Sequence, residues 1–323
     1  MLSIILSLVF SLTSFSADEL KEVRIGWQIP WATQGQLVQI LKKTDILKKN
    51  GLKAEFIGRT YGPQLNELAM GSGVDVVLTG DLPGLTLISK GKGWRGIGRL
   101  MYNRTTTYVP KDSPISSLKE LKGKTIALPM GAAAERVTKE ALKEAGLDPE
   151  KDVKITNLDI REQGPLILKS EGKPAFEQFD ALAGFDPLPA IFESQGKIKV
   201  LHTGKVVSMV IMNDAFLKAN PKVGKQIMQS LFDAYDYYRE HKKEANELFL
   251  AEAELNGATQ EACELAASLE PNLKAKSKKK MSVTFSKDDL NHLKNAAAFL
   301  EAKTGNKVNV DESIGNEYAD NLK

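Results

Sequence analysis

Aromatic and carboxylate side chains follow the predicted strands of this chain at the points where the strands end. Ligands of open α/β sheets bind beyond the carboxyl ends of strands, so these positions form the candidate ligand-binding site. The candidate residues are Trp27, Gln28, Trp31, Tyr61, Thr79, Gly80, Asp81, Gly131, Ala132, Phe185 and Asp186. Aromatic faces attract flat and cationic groups, and carboxylates attract N–H donors. Together they predict a small nitrogen-bearing ligand, flat or partly cationic, such as an aminopyrimidine.

Each candidate also has a second interpretation. Any one of the aromatic rings at these positions can serve as core packing, and both carboxylates precede helices that an Asp side chain can cap. An anionic ligand is favoured instead by the predicted helix start at Gly131, where unpaired amides and the helix dipole meet. Arg104 or Arg136 would also favour an anion if either side chain entered the cleft.

No catalytic or metal-binding motif accompanies the candidate site in the sequence. Cys263 is the single cysteine, and His202, His241 and His292 lack the spacing of metal ligands. The segment Gly91–Gly96 matches G-x-G-x-x-G, but it follows a predicted helix and precedes a strand, which is the reverse of a dinucleotide site. We therefore expect a binding protein rather than an enzyme, with no cofactor and no metal. The histidines are predicted to be structural or exposed.

Strands and helices alternate along most of the chain, which predicts an α/β fold with a largely parallel sheet. One series runs from a strand at Val23–Trp27 to a strand at Gly96–Met101. The stretch Thr105–Ser117, rich in Thr and Pro, is predicted to cross between two lobes. A second series follows and includes a strand at Ile198–Leu201.

The C-terminal third is predicted to be mainly helical. Ser286 and Asp289 form a capping-box pattern at the start of the last long helix, and Gly305 marks its end. Cys263 lies in an earlier helix-like stretch and is predicted to be a small core residue.

Composition and charge are those of a globular protein of two domains. The chain has 323 residues, of which 42% are hydrophobic and 26% charged. Its 44 basic and 41 acidic residues give a net charge of +3, so electrostatics gives no reason to expect a nucleic-acid partner.

The first residues have the pattern of a secretion signal over residues 1–16. Leu2–Leu12 is an apolar run too short to span a bilayer, and Ser14 and Ser16 provide the small residues of a cleavage site. We expect the mature protein to begin at Ala17 or Asp18 and to be periplasmic or otherwise secreted. No cysteine follows the run, so we expect no lipid attachment.

Three ordered stretches resemble the nitrate/sulfonate/taurine and thiamine-pyrimidine (NMT1/THI5-like) group of periplasmic substrate-binding proteins. They are the segment from Lys111 to Gly131, Phe179–Ala181 with Phe185-Asp186-Pro187, and Asn213–Leu217 with Asn220-Pro221. The resemblance implies the type II fold, which has two βα lobes, a hinge and a ligand cleft between the lobes. We expect residues 17–105 and 208–323 in lobe 1 and residues 106–207 in lobe 2. Sulfonate- and nitrate-type members often carry hydroxyl residues after the position of Gly131. This chain has three alanines there, which disfavours those ligands.

The resemblance implies an extracytoplasmic solute-binding protein that delivers a small molecule to an ABC permease driven by a separate ATPase. We expect a monomer. The alternatives are a sulfonate-, taurine- or nitrate-binding member of the group, an enzyme of pyrimidine biosynthesis on the same fold, and a sensory ligand-binding protein. The pyrimidine-synthesising relatives carry a cysteine-rich element, which Cys263 alone cannot supply.

Overall fold

The computed structural model describes residues 20–91, 93–253, 255 and 257–323, so the predicted signal segment lies outside the described residues. Within them, one mixed sheet has the strand order β2-β1-β3-β8-β4-β7-β5-β6. The strands are β1 (Lys21–Gln28), β2 (Leu52–Arg59), β3 (Val76–Thr79), β4 (Trp94–Pro110), β5 (Thr125–Leu128), β6 (Lys154–Asn157), β7 (Ala181–Phe185) and β8 (Ile198–Asn213).

Helices cover both ends of this sheet, and the C-terminal part is mainly helical. The α-helices are α1 (Gln34–Lys43), α2 (Ile46–Lys49), α3 (Gly62–Met70), α4 (Asp81–Ser89), α5 (Ala133–Glu144), α6 (Ile160–Lys169), α7 (Leu188–Ser194), α8 (Asp214–Ala219), α9 (Val223–Glu240), α10 (Lys242–Leu250), α11 (Gln260–Ala266), α12 (Lys287–Thr304) and α13 (Val310–Ser313). Short 3-10 helices lie at Leu118–Leu121, Pro271–Lys274 and Lys278–Lys280. None of the described helices is long and apolar enough to cross a membrane.

The sheet is parallel at its two ends and antiparallel in its centre. β1 pairs in parallel with β2 and β3, and β5 pairs in parallel with β6 and β7. β8 runs antiparallel to β3 and β4, and β4 runs antiparallel to β7. The prediction of a largely parallel sheet is therefore wrong for the centre. The chain enters the end of the sheet formed by β5, β6 and β7 through β4 and leaves it through β8, and these two long strands run in opposite directions.

Strands β4 and β8 are 17 and 16 residues long and connect the two parallel ends. The predicted short strands at Gly96–Met101 and Ile198–Leu201 are parts of them. Thr105–Pro110, predicted as an irregular crossing, continues β4, because its β-branched and aromatic side chains favour extended backbone and β8 pairs along the whole length. The expected lobe boundaries at 105/106 and 207/208 fall inside these two strands.

Local signals set several helix boundaries correctly. α12 begins with a capping box in which Ser286 and Asp289 exchange both hydrogen bonds, and it ends at Gly305, whose φ is 75°. Cys263 is fully buried in α11, as predicted. Residues 34–49 form two helices, α1 and α2, because Thr44 adopts an extended conformation between them.

The N-terminal ends of α1, α4 and α5 converge near the middle of β4 and β8. α4 packs against α3, α5 and α12, and α5 packs against β4, β7 and β8. The amide side chain of Asn103 in β4 donates to the carbonyl of Ala32, which lies just before α1. Loops from both ends of the sheet are therefore brought to one place.

Candidate functional site

Predicted site residues from three strand ends, Trp31, Gly80 and Phe185, meet around the Trp31 ring, together with Ala133 from a fourth. The ring centroid of Trp31 lies 5.4 Å from that of Phe185, and the two rings are tilted by 55°. A Cβ placed on Gly80 would lie 3.0 Å from Cη2 of Trp31 and 3.5 Å from Cβ of Ala133. Trp31 is 2% exposed. The loops after β1, β3 and β5 and the end of β7 therefore close on one another, and we call the contact of these residues the Trp31 cleft.

Buried polar atoms with no hydrogen-bond partner among the described residues lie on the elements that form the Trp31 cleft. They are Gln28 Oε1, Trp31 Nε1, Thr33 Oγ1, Gln34 Nε2, Thr79 Oγ1, Thr105 Oγ1, Thr106 Oγ1 and Arg136 Nε. Further atoms of this kind are Gln36 Oε1 and Gln39 Oε1, later in α1, and Asn66 Oδ1, Ser170 Oγ and Asp289 Oδ1 elsewhere in the fold. A buried polar atom without a partner destabilises the folded state by about 1–3 kcal/mol, so natural proteins contain few of them. Such a concentration is typical of a binding site whose ligand supplies the partners.

Helix α1 begins at a residue with unusual backbone geometry. Thr33 has φ 64° and ψ −49°, a strained positive-φ conformation close to that of a γ-turn, which a β-branched residue rarely adopts. Gln34 follows it, fully buried, and its Oε1 accepts from the amide of Gln28 at 2.6 Å. Thr33 and Gln34 are absent from the residues chosen from the sequence. The available signal is a row of glutamines, at 34, 36 and 39, in a helix whose other residues are apolar or glycine up to Leu41.

Asp81 is fully buried and paired with protein groups. Its Oδ2 accepts from Nη2 of Arg136 at 2.5 Å and lies 2.9 Å from Nε2 of His292. Burial alone would raise the pKa of Asp81, but Arg136 and His292 together lower it below its ordinary value. This carboxylate is therefore ionised and neutralised from within the protein, and His292 joins α12 to the pair.

Asp186 is also paired within the protein. Its Oδ2 accepts from Nε of Arg104 at 2.7 Å, and its Oδ1 accepts from the amide of Ala190, in the first turn of α7, at 3.0 Å. The second contact is the capping interaction that was the alternative interpretation of this residue. Burial raises the pKa of Asp186 to about 6, although the positive charge of Arg104 acts to lower it. Arg104 also donates a hydrogen bond to Glu193.

The backbone amides at the start of α5 already have partners. The amide of Gly131 donates to Oε2 of Glu135 at 2.7 Å, and the amide of Ala132 donates to a backbone carbonyl at 3.3 Å. Glu135 is itself buried and binds Nζ of Lys303, in α12, at 2.5 Å. Helix α12 therefore touches α5 through two side chains, His292 and Lys303. Gly131 and Ala132 as ligand contacts stay predictions.

The other two aromatic candidates have contacts of a different kind. Nζ of Lys42 lies 5.8 Å from the ring centroid of Trp27, which is buried in the core. Tyr61 precedes α3 and is partly buried, and burial together with the charge of Asp159 raises its pKa. Their roles as ligand contacts also stay predictions.

A family model described as "NMT1/THI5 like" matches residues 47–245, which is more than half of the chain. The chain belongs to the NMT1/THI5-like family. The resemblance inferred from the three sequence stretches is confirmed. A putative aliphatic sulfonates-binding protein of Escherichia coli (strain K12) is 26% identical over 223 residues, which is 67% of this chain. The match spans 64% of that relative's own length.

Solved structures of low sequence identity share the fold. The alkanesulfonate-binding protein SsuA from Xanthomonas axonopodis pv. citri, bound to MOPS, superposes with a TM-score of 0.73 at 20% identity, over 91% of this chain and 98% of that one. The desulfurization enzyme DSZB superposes with a TM-score of 0.64 at 14% identity, over 92% and 97%. The NMT1/THI5-like chain thus has the α/β fold of the type II periplasmic binding proteins, as predicted.

Proposed function

We propose that the protein is an extracytoplasmic solute-binding protein of an ABC importer and that it captures a small organosulfonate in the Trp31 cleft. The observation that carries the proposal is the set of unpaired polar atoms there. Trp31 Nε1 and Gln34 Nε2 are N–H donors, and the hydroxyls of Thr33 and Thr79 can donate as well. A sulfonate presents three acceptor oxygens and one negative charge, so it matches a set of donors better than an amine does.

This proposal replaces the nitrogen-bearing ligand that the sequence favoured. That prediction requires Asp81 and Asp186 to meet the ligand as free carboxylates. Arg136 and Arg104 hold them instead, with the help of His292 and of the Ala190 amide. Without an uncompensated carboxylate, a cationic ligand loses its main attraction. The sulfonate ligand named for the Escherichia coli relative and the alkanesulfonate named for the Xanthomonas structure support the same choice.

An enzymatic role on the same fold has little chemical support in this chain. The desulfurization enzyme shows that the fold can carry catalysis. A cysteine nucleophile must be accessible as the thiolate. Cys263 is fully buried in α11, and burial raises its pKa to about 12. The thiol therefore stays protonated and out of reach, and we propose binding without catalysis.

The two long strands support the expected lobes as part of the proposal. Lobe 1 would comprise residues 17–105 and 208–323, and lobe 2 residues 106–207, with β4 and β8 as the hinge. Trp31 and Gly80 would then belong to lobe 1 and Ala133 and Phe185 to lobe 2, so a ligand at the Trp31 cleft would close the lobes by rigid-body motion. The proposed partners are an ABC permease and its separate ATPase, and the proposed location is the periplasm or the cell exterior, as a monomer.

A thermal-shift screen tests the ligand class. The panel contains butanesulfonate, taurine and MOPS, and against them nitrate, butylamine, betaine and an aminopyrimidine. A ligand at a hundredfold over its Kd stabilises the folded protein by about 2.7 kcal/mol, which gives a clear rise in Tm. We expect the rise with organosulfonates and not with butylamine or the aminopyrimidine. A rise confined to the nitrogenous cations would contradict the proposal.

A pair of glutamine variants tests the site. Gln34→Ala removes an N–H donor from the Trp31 cleft and should weaken the best sulfonate by about tenfold or more, since a hydrogen bond to a charged group contributes about 1.5–3 kcal/mol. Gln39→Ala is the matched control, because Gln39 lies on the same helix, is equally buried and binds Glu252. Equal losses in the two variants would contradict the placement of the ligand.

A further inference from the structure

The guanidinium of Arg136 is held from three directions in the protein interior. Arg136 lies near the start of α5, and its side chain is 2% exposed. Nη2 donates to Oδ2 of Asp81 at 2.5 Å and lies 2.9 Å from Nε2 of His292, and Nη1 donates to Glu140. α4, α12 and α5 itself each contribute one partner. The plane of the guanidinium is therefore fixed.

One donor of this guanidinium is left over. Nε of Arg136 is buried and has no hydrogen-bond partner among the described residues. Arginine keeps its charge at all ordinary pH values and presents its N–H groups in a rigid plane, so a fixed Nη1 and Nη2 also fix the direction of Nε–H. A buried charged donor without an acceptor is costly, which points to an acceptor that comes from outside the chain.

Arg136 lies beside the Trp31 cleft. It follows Ala133 by three residues and so lies on the same face of α5. Ala133 contacts the position of Gly80, which in turn contacts Trp31. Asp81, the partner of Arg136, directly follows Gly80 in the chain. The unpaired Nε–H therefore belongs to the same small region as the unpaired donors of α1.

We propose that Arg136 contacts the anionic group of the ligand through Nε–H and selects a charged sulfonate over a neutral analogue, with Asp81 and His292 as positioning residues. This inference rests on the proposed function. It names the residue that distinguishes an anionic ligand from a neutral one. His292 Nε2 lies near a donor on Arg136 and an acceptor on Asp81. It therefore accepts a hydrogen bond from Arg136 or donates one to Asp81. Either bond holds the Arg136–Asp81 pair in position from α12.

Isothermal titration with a charged ligand and its neutral isostere tests the role of Arg136. Butanesulfonate and butanesulfonamide are titrated into the wild-type protein and into Arg136→Lys, which keeps the positive charge and loses Nε–H. We expect the sulfonate affinity to fall by about ten- to a hundredfold and the sulfonamide affinity by less than about threefold. Equal losses for both ligands, or no loss for the sulfonate, would overturn the inference and leave the proposed function intact. Absence of sulfonate binding to the wild-type protein would overturn both.

Two variants of His292 test whether this residue positions Arg136. Substitutions here put folding at less risk than substitutions of the buried Arg136. His292 has a side chain that is 21% exposed. His292→Leu removes the brace and should weaken the sulfonate by roughly three- to tenfold, whereas His292→Gln keeps a donor and an acceptor and should restore most of the affinity. Equal sulfonate affinities for the Leu, Gln and wild-type proteins would overturn the assignment, and they decide the question if Arg136→Lys does not fold.

Discussion

Replacing Asp186 by asparagine should change how the stability of the protein depends on pH. Burial raises the pKa of Asp186 from 3.8 to about 6 in the folded protein. Between about pH 4 and pH 6, the folded state therefore holds a proton that the unfolded state has lost. By linkage, the contribution of Asp186 to stability is greatest below its unfolded pKa and is lost as the pH rises through 6. A shift of about two units corresponds to about 3 kcal/mol.

Urea denaturation at half-unit steps from pH 4 to pH 7.5 measures this effect. The free energy of unfolding of the wild-type protein minus that of Asp186→Asn should fall by about 2.5 kcal/mol between pH 4 and pH 7.5, because the variant lacks the titrating group. Glu193→Gln is the control. Glu193 shares Arg104 with Asp186 and helps to raise the pKa of Asp186, so its removal should move the transition to lower pH and keep its sign. A difference curve that is flat, or that rises with pH, would refute the reasoning.

Four further substitutions follow from the packing, and one of them is a control. Gly80→Ala places a methyl group 3.0 Å from the indole of the Trp31 cleft and should weaken the sulfonate by about fivefold in titration calorimetry; unchanged affinity would mean that the contact is not at the ligand. Gly35→Ala places its Cβ 2.2 Å from the ring of Phe249 and should lower the free energy of unfolding by about 1–3 kcal/mol, whereas Gly315→Ala, with no atom within 4 Å, should leave it within about 0.5 kcal/mol. Ser286→Ala removes the cap of α12 and should cost about 1 kcal/mol in urea denaturation; no loss would contradict the capping role.

Much of the fold follows from patterns of short range. The alternation of strands and helices predicts the parallel ends of the sheet, and the capping box at Ser286 predicts the start of α12. The long central strands do not follow in this way. Thr105–Pro110 carries three threonines and a proline that indicate a loop, and its extension as β4 depends on pairing with β8, about a hundred residues later in the chain.

The candidate site also depends on contacts between residues that lie far apart in the sequence, which local patterns do not predict. Trp31, Gly80 and Phe185 follow different strands and lie together in the structure, as expected from topology alone. That they contact a ligand stays a prediction. The charge of the site depends on pairings between residues that lie far apart in the chain. Asp81 meets Arg136 55 residues later and His292 211 residues later. A single sequence contains no signal for such pairs. The carboxylates therefore look unpaired in the sequence, which favours a ligand of the opposite charge to the one that we propose.

A crystal structure of the protein with butanesulfonate tests the central claim most directly. We expect the sulfonate group in the Trp31 cleft, with its oxygens within hydrogen-bond distance of Trp31 Nε1 and Gln34 Nε2 and with the butyl chain against the rings of Trp31 and Phe185. Asp81 and Asp186 should keep their partners Arg136 and Arg104. A sulfonate bound elsewhere on the protein, or a cleft in which either carboxylate releases its arginine to meet the ligand, would contradict the account.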